Sequence, residues 1–224
     1  MSLLINAGVL MHRRFCNWNY LEIQPTFRFM KYPLVALDIG NTCVPQCYDR
    51  LLRTLGLTSL NAPAFDVEPW GEPFHQFLLG NLTEEEYLED FHRRFPQWPK
   101  ELIYTAHVAY LGKPIPGMPE LIQQMHSEGT HFVFFTDINT LHWKAFRAIS
   151  GDAFACVRDR VGSDEVHAMK PSEEMFAAFE QRFGVPDLYL DDRLDLINVA
   201  NEHGWHAVQA RRDVVALRQE IGVF

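Results

Sequence analysis

Short apolar runs without alternation are the feature of this 224-residue sequence that most restricts its fold. Strands with one face in water alternate apolar and polar residues, whereas continuously apolar runs are typical of strands buried on both faces of a parallel sheet. We predict a strand at each such run. The runs cover residues 34–37, 131–136, 153–157, 188–190 and 206–208.

Helix-like segments separate these runs. They span residues 119–128, 141–149, 172–183 and 195–203, and a glycine follows each of them closely. Glycine is common just after the last turn of a helix. Strands that alternate with helices form right-handed βαβ units. We therefore predict an α/β fold with a doubly wound, Rossmann-like parallel sheet and helices on both faces.

One interval, residues 45–116, breaks this alternation because it contains helical segments and no convincing strand. Thr83 and Glu86 have the spacing of a capping box at the start of one of them. We predict a small all-helical cap here, inserted after the first strand of a core formed by residues 30–44 and 117–224. Residues 1–29 are expected to be an N-terminal extension, either a misassigned start or a loose tail.

The charge balance restricts the partners. The chain has 20 basic and 29 acidic side chains, a net charge of -9, which argues against nucleic acid or an anionic membrane as the main partner. No run reaches the roughly 18 apolar residues that a membrane span requires. The four cysteines have no CxxC pair, which favours free thiols in a reducing compartment. We predict a cytoplasmic protein, and the charge balance leaves room for a small anionic substrate held by local positive groups.

Acidic residues mark the ends of several predicted strands. The polar groups at these positions are Asp38, Thr136, Asp137, Asp191 and Asp192, and Lys170 precedes a predicted helix. Ligands of open parallel sheets bind at the carboxyl ends of the strands. Clustered carboxylates repel one another unless a cation neutralises them, and oxygen ligands suit Mg²⁺. The pattern indicates a Mg²⁺ and phosphoryl site in which Thr136 and Lys170 hold anionic oxygens.

Four segments carry a family resemblance. LDIGNT, FFTD, MKP and YLDDRLDLINVANEHG resemble, in this order, the four motifs of the haloacid dehalogenase superfamily, and the helical insertion resembles its class I cap. The cap segment GEPFHQFLLGNLTEEEYLEDF also resembles the branch that contains an α-glucose-1-phosphate phosphatase. The resemblance covers residues from about 33 to 210. It implies Mg²⁺-dependent hydrolysis on the predicted fold.

The resemblance also implies roles for the metal site. Asp38 would be the nucleophile, forming an aspartyl-phosphate, and would also bind Mg²⁺. The backbone carbonyl of Gly40 and the side chain of Asp192 would be further ligands, with Asp191 as an additional candidate. A carboxylate nucleophile divides the transfer into two steps, and the metal stabilises the charge on the transferring group.

The phosphate-binding roles follow in the same way. Thr136 would hydrogen-bond a phosphoryl oxygen, and Lys170 would neutralise charge on the nucleophile and the phosphoryl group. Asp137 stands beside the phosphate where the family usually has asparagine. A carboxylate there repels a dianionic phosphate unless it points away or contacts the metal.

Gly40 is a second departure, because the family pattern DxDxT has an aspartate there that protonates the leaving group and later activates water. Three explanations are open. The leaving group needs little protonation, as for an anomeric sugar oxygen or an acyl phosphate; or His75 of the cap lends the proton; or turnover is slow. The glucose-1-phosphate branch also has glycine at this position, which favours the first explanation.

Three functions are therefore compared. The first is a Mg²⁺-dependent phosphatase of a small phosphorylated metabolite, with sugar phosphates among the candidates. The second is a non-catalytic metal- and phosphate-binding or regulatory module, which Gly40 and Asp137 keep open. The third is a dehalogenase-like hydrolase that attacks carbon with Asp38. That chemistry needs no metal, so the pair Asp191–Asp192 counts against it.

Overall fold

The computed structural model describes residues 31–58 and 71–224, so the predicted extension at residues 1–29 lies outside the described residues. The strands are β1 (Leu34–Leu37), β2 (His131–Thr136), β3 (Asp159–Gly162), β4 (Leu188–Asp191) and β5 (Ala207–Gln209). The helices are α1 (Tyr48–Thr54), α2 (Gly71–Leu78), α3 (Glu84–Arg94), α4 (Lys100–Tyr110), α5 (Met118–Ser127), α6 (Thr140–Ser150), α7 (Ser163–Val166), α8 (Glu173–Phe183), α9 (Leu194–His203) and α10 (Val214–Ile221). None of these helices in the described part combines the length and apolar character needed to cross a membrane.

The five strands form one parallel sheet in the order β3-β2-β1-β4-β5. The chain runs outward from β1 to β2 and β3, then returns to β4 on the other side of β1, so the strand order reverses between β1 and β4. Helices α5, α6 and α10 pack on one face of the sheet, and α8 and α9 pack on the other. The predicted doubly wound sheet with helices on both faces is confirmed.

The central strand β1 shows why its sequence lacks alternation. Val35 and Leu37 belong to the core cluster on one face, and Ala36 belongs to the cluster on the other. All three side chains are fully buried. A strand covered on both faces has no position for a polar side chain until it reaches the sheet edge.

The strand predicted at residues 153–157 is wrong, because residues 151–156 form turns and the third strand is β3. Phe154 and Val157 are apolar because they pack into the core, where Phe154 stacks on Phe146. The edge strand β3 reads DRVG and begins with Asp159 and Arg160, which are only half-buried. A search for apolar runs therefore misses it.

Helices α1–α4 lie between β1 and β2 in the chain and pack around their own apolar cluster, which includes Phe77, Tyr87 and Phe91. The capping box of α3 is confirmed: the Thr83 hydroxyl accepts a hydrogen bond from the backbone of Glu86, whose carboxylate accepts one from the Thr83 backbone at 2.8 Å. The insertion is all-helical in its described part. Its exact bounds at residues 45 and 116 stay a prediction.

The C-terminal end of α2 contacts the core at α7. The Ser163 hydroxyl donates a hydrogen bond to the carbonyl oxygen of Leu78 at 2.7 Å. Gly80 follows with a φ of +69°, and a Cβ added there would lie within 3.0 Å of the backbone of Asp164, which is closer than real Cβ atoms come. The close approach of cap and core at this point therefore requires glycine.

We expect Gly80→Ala to lower the free energy of unfolding more than Gly56→Ala, with urea titration as the measurement. Both glycines have positive φ, but a Cβ at Gly56 would meet nothing within 4 Å. Gly56→Ala should therefore cost only the conformational penalty of about 1–2 kcal/mol. Gly80→Ala should cost about 1–3 kcal/mol more, because Asp164 must move. Equal losses would contradict the close contact.

Candidate active site

The carboxyl ends of β1 and β4 are neighbours, and the backbone N–H of Asp38 donates to the carbonyl of Leu190 at 2.9 Å. Side chains two residues apart on a strand share a face. The side chain of Asp38 therefore lies on the same face as that of Ala36, and the side chain of Asp191 on the same face as that of Tyr189. This is the face covered by α8 and α9. The two carboxylates meet on one side of the sheet at the point where strand order reverses.

Lys170 lies between these carboxylates and is itself buried. Its Nζ donates to Asp38 Oδ1 at 2.8 Å and to Asp191 Oδ2 at 2.6 Å. The carbonyl of Phe135 lies 3.1 Å from Nζ, and the hydroxyl of Tyr189, which also donates to Asp191, lies 3.3 Å from it. The structure thus brings the predicted residues Asp38, Asp191 and Lys170 together and adds Tyr189. The sequence feature that could have indicated Tyr189 is its position two residues before Asp191 on the same strand.

The electrostatics of this cluster are dominated by burial. Burial, with a smaller contribution from the charge of Asp191, raises the pKa of Asp38 to about 7 against the attraction of Lys170. Burial alone would lower the pKa of Lys170, but Asp191 and Asp38 reverse the effect and raise it well above its ordinary value. Burial and Asp191 also raise the pKa of Asp192. The cluster holds more negative charge than Lys170 balances.

The same carboxylates could hold a metal ion. One oxygen from each of Asp38, Asp191 and Asp192 lies within 4.8 Å of the others. Carboxylate oxygens are hard ligands that suit Mg²⁺, and a divalent cation would relieve the excess of negative charge. The carbonyl of Gly40 accepts a hydrogen bond from the backbone of Thr42 at 2.6 Å and keeps a second lone pair. These residues fit Mg²⁺, and the ligand role of Gly40 stays a prediction.

A cavity of about 340 Å³ opens between this sheet edge and the helical insertion. Phe74 and Leu78 of α2 and Tyr110 of α4 line its apolar side. Its size and its combination of apolar and charged groups suit a small molecule. The predicted site residues that line it are Asp38, Gly40, Thr136, Asp137, Lys170, Asp191 and Asp192.

Asp137 is held by the loop that carries the lysine. Its Oδ1 accepts a hydrogen bond from the backbone N–H of Lys170 at 2.9 Å. Burial raises the pKa of Asp137, although the charge of Lys170 opposes this. One oxygen of this carboxylate therefore points to the lysine loop, and an asparagine oxygen could accept the same hydrogen bond.

His75 is not among the residues that line the cavity. Its side chain is 52% exposed, and its Nδ1 lies 4.0 Å from a carboxylate oxygen of Glu72. Consecutive residues of a helix point about 100° apart, so the inward orientation of Phe74 turns His75 away. The structure does not support the hypothesis that His75 lends the missing proton.

A buried chain of hydrogen bonds that the sequence did not reveal runs from α3 to α6. Asn139 Oδ1 accepts from the backbone N–H of His142 at 2.8 Å, so its Nδ2 faces His142 Nδ1, 3.3 Å away, and donates to it. Neutral His142 then donates from Nε2 to His107 Nδ1 at 3.2 Å. His107 in turn donates from Nε2 to the hydroxyl of Tyr87 at 3.0 Å.

This chain keeps both histidines neutral. Burial lowers the pKa of His142 to about 4. The pKa of His107 is lowered well below its ordinary value, mainly by burial and to a smaller extent by the neighbouring His142. His142 also lines the cavity. Because both of its ring nitrogens are engaged in the chain, it has no proton to give to a leaving group. Residues 87, 107 and 142 are far apart in sequence, so only the folded chain shows their relation.

We expect acid to weaken the fold through these histidines. A histidine whose pKa falls from 6.5 unfolded to about 4 folded stabilises the protein fully above pH 6.5 and loses that effect toward pH 4. The loss for His142 is about 3 kcal/mol. The raised pKa of Asp38 has the opposite effect, because it adds stability as the pH falls. The contribution of His142 is therefore measured as the difference between the wild type and His142→Gln.

The measurement is the free energy of unfolding from denaturant titrations between pH 7 and pH 4. The decline in the wild type should be steeper than in His142→Gln, because the variant retains Asp38 and His107 but lacks one buried histidine. Parallel curves for the two proteins would contradict the burial of a neutral His142.

Comparison with known proteins gives matches by structure alone. No protein-family model and no curated protein matches the sequence. A haloacid dehalogenase family enzyme from Bacteroides thetaiotaomicron superposes with a TM-score of 0.72 and 18% identity, over 82% of this chain and 96% of that one. Another structure of that enzyme is a complex with magnesium and inorganic phosphate.

Two further structures have the same architecture. A predicted haloacid dehalogenase-like hydrolase from Porphyromonas gingivalis gives a TM-score of 0.66 at 14% identity, covering 84% of this chain and 97% of that one. The L-2-haloacid dehalogenase of Xanthobacter autotrophicus gives 0.57 at 13% identity, covering 85% and 82%. With its doubly wound sheet, its helical insertion and its acidic edge between β1 and β4, the chain has the fold of the haloacid dehalogenase superfamily.

Proposed function

We propose that this protein is a Mg²⁺-dependent phosphatase of a small phosphorylated metabolite and acts through an aspartyl-phosphate on Asp38. The observation that carries the proposal is the buried Lys170, bonded to Asp38 and Asp191 at the floor of a cavity that Asp192 and Thr136 also line. A charged floor below an apolar wall suits a phosphate group attached to a small organic molecule.

In the first step, a carboxylate oxygen of Asp38 attacks phosphorus. The new O–P bond forms while the bond to the leaving oxygen breaks, and its electron pair stays on that oxygen. Lys170 already holds Asp38 Oδ1 at 2.8 Å, so its charge is in place as the phosphoryl group arrives. The hydroxyl of Thr136 lines the same floor and can donate to a phosphoryl oxygen.

In the second step, water attacks phosphorus and the bond to Asp38 breaks, which restores the carboxylate and releases phosphate together with the proton of the water. Asp38 and Asp192, with Asp191 as a further candidate, would hold Mg²⁺. The metal supplies positive charge that stabilises the phosphoryl oxygens. The magnesium and phosphate complex of the Bacteroides enzyme supports this assignment.

The expected effect of Asp38→Asn is a loss of phosphate release by at least about 10³-fold, because the amide cannot form the phosphoenzyme. The assay is a panel of sugar phosphates, acyl phosphates and alcohol phosphates, each with Mg²⁺ and with EDTA. Asp152→Asn, an exposed residue of a turn, is the matched control and should retain wild-type rates.

Other outcomes of this panel identify the alternative functions. Absence of phosphate release from every substrate, with Mg²⁺ binding intact by calorimetry, would contradict the phosphatase and support a non-catalytic binding module. Halide release from 2-haloacids in the absence of metal would support attack on carbon, the reaction of a dehalogenase, provided that Asp38→Asn abolishes it.

We expect Asp137→Asn to leave phosphatase activity equal to or higher than that of the wild type. The asparagine oxygen can still accept from the backbone N–H of Lys170, and the change removes a carboxyl group that would repel phosphate when it is ionised. The measurement is kcat/KM on the best substrate of the panel. A loss of tenfold or more would instead show that Asp137 has a positive role, such as activating water.

A further inference from the structure

The wall of the cavity contains an amide that the reaction above does not use. We propose that the side-chain N–H of Gln46 donates a hydrogen bond to the leaving oxygen of the substrate, and that this contact selects phosphates whose leaving oxygen departs without a proton. The inference rests on the proposed phosphatase function and names the substrate class of that same site.

The backbone of Gln46 is held at the base of the cap. Gln46 lies in the connection between β1 and α1 and forms an antiparallel bridge with Leu111, which follows α4. Beside this bridge, the N–H of Gly112 donates to the carbonyl of Pro45 at 2.8 Å. The segments that enter and leave the cap are therefore joined at Gln46, and its backbone position is determined by both.

The orientation of the amide follows from its neighbour Asn41. Asn41 Oδ1 accepts from the backbone N–H of Gln46 at 3.0 Å and from Arg212. Asn41 Nδ2 is therefore the donor, and it lies 3.3 Å from Gln46 Oε1. Asn41 and Asp192 both line the cavity. With Oε1 engaged, Gln46 Nε2 is the outer end of the amide, and it has no hydrogen-bond partner within residues 31–58 and 71–224.

Nε2 occupies the space that a side chain at position 40 would need. A Cβ added to Gly40 would lie within 3.0 Å of Gln46 Nε2, a separation that real Cβ atoms do not show. Gly40 is not among the glycines with positive φ, so its backbone would accept other residues. A side chain at position 40 would therefore have to displace the amide of Gln46, which is the end of a flexible side chain, and both residues line the cavity.

The proposed reaction places the leaving oxygen on this side. In an in-line displacement, the leaving oxygen lies opposite the attacking oxygen. Asp38 attacks from the sheet edge, where Lys170 is bonded to it, so the leaving group lies toward the open cavity and the cap. Gln46, at the base of the cap, offers two N–H groups there, whereas the ring nitrogens of His142 are engaged in the buried chain.

An amide donates a hydrogen bond but not a proton. When the P–O bond breaks, the electron pair stays on the leaving oxygen, which Gln46 stabilises as it forms. An alkoxide then takes a proton from water, whereas the carboxylate released from an acyl phosphate stays ionised. The barrier therefore rises with the basicity of the leaving oxygen, because a positioned proton donor is absent. Acyl phosphates and phosphates on an anomeric oxygen should be hydrolysed faster than phosphates of simple alcohols.

The test measures kcat/KM of the full-length protein with Mg²⁺ on aryl phosphates of increasing leaving-group pKa. Gln46→Met keeps the length of the side chain and removes the amide. We expect kcat/KM on phenyl phosphate to fall about tenfold or more, and to fall less on para-nitrophenyl phosphate, so that the dependence on leaving-group pKa steepens. Gln97→Met, at an exposed turn of the cap, is the control and should retain the wild-type dependence.

Gly40→Ala supplies an independent variant, because its Cβ would displace the amide while keeping the backbone carbonyl. It should reproduce the steeper dependence, and the double variant Gly40→Ala with Gln46→Met should be no slower than the slower single variant. Fully additive losses, or an unchanged dependence in Gln46→Met, would overturn the inference while the phosphatase stands. Absence of metal-dependent phosphate release from the wild type would instead remove the proposed function itself.

Discussion

The bonds of Lys170 to Asp38 and Asp191 are the interaction on which the rest of the structure depends. Removing charged groups from water costs several kcal/mol for each ion, so the buried ammonium and the two carboxylates are stable only together. Their meeting requires that β1 and β4 be adjacent and parallel and that the loop before α8 return to the same edge. The order of the strands is therefore tied to the electrostatics of the site.

The two parts of the chain make different contributions to the cavity. The sheet places acids and the lysine where strands end, because that edge is the first position at which a strand buried on both faces can carry a polar side chain. The insertion supplies the apolar wall of Phe74, Leu78 and Tyr110. The chain of hydrogen bonds from Tyr87 to His142 then joins the insertion to α6 without placing a charge between them.

The sequence predicts those features that depend on local pattern. Four of the five predicted strands are confirmed because burial on both faces makes them continuously apolar, whereas the edge strand β3 has polar residues and could not be recognised in this way. The carboxylates were predictable because strand ends share one edge. The orientation of His75 depends on how α2 is rotated about its axis relative to the core. The position of Gln46 depends on its pairing with Leu111, 65 positions further along the chain. Neither can be read from the local sequence.

The bridge between Gln46 and Leu111 also has a mechanical consequence. It joins the two segments through which the cap is connected to the core, and the hydrogen bond between Gly112 and Pro45 reinforces it. A rotation of the cap about these paired segments would move Gln46 together with Asn41, which is hydrogen-bonded to it and lines the cavity with Asp192. The side-chain amides of Gln46 and Asn41 thus connect the base of the cap to the acidic edge.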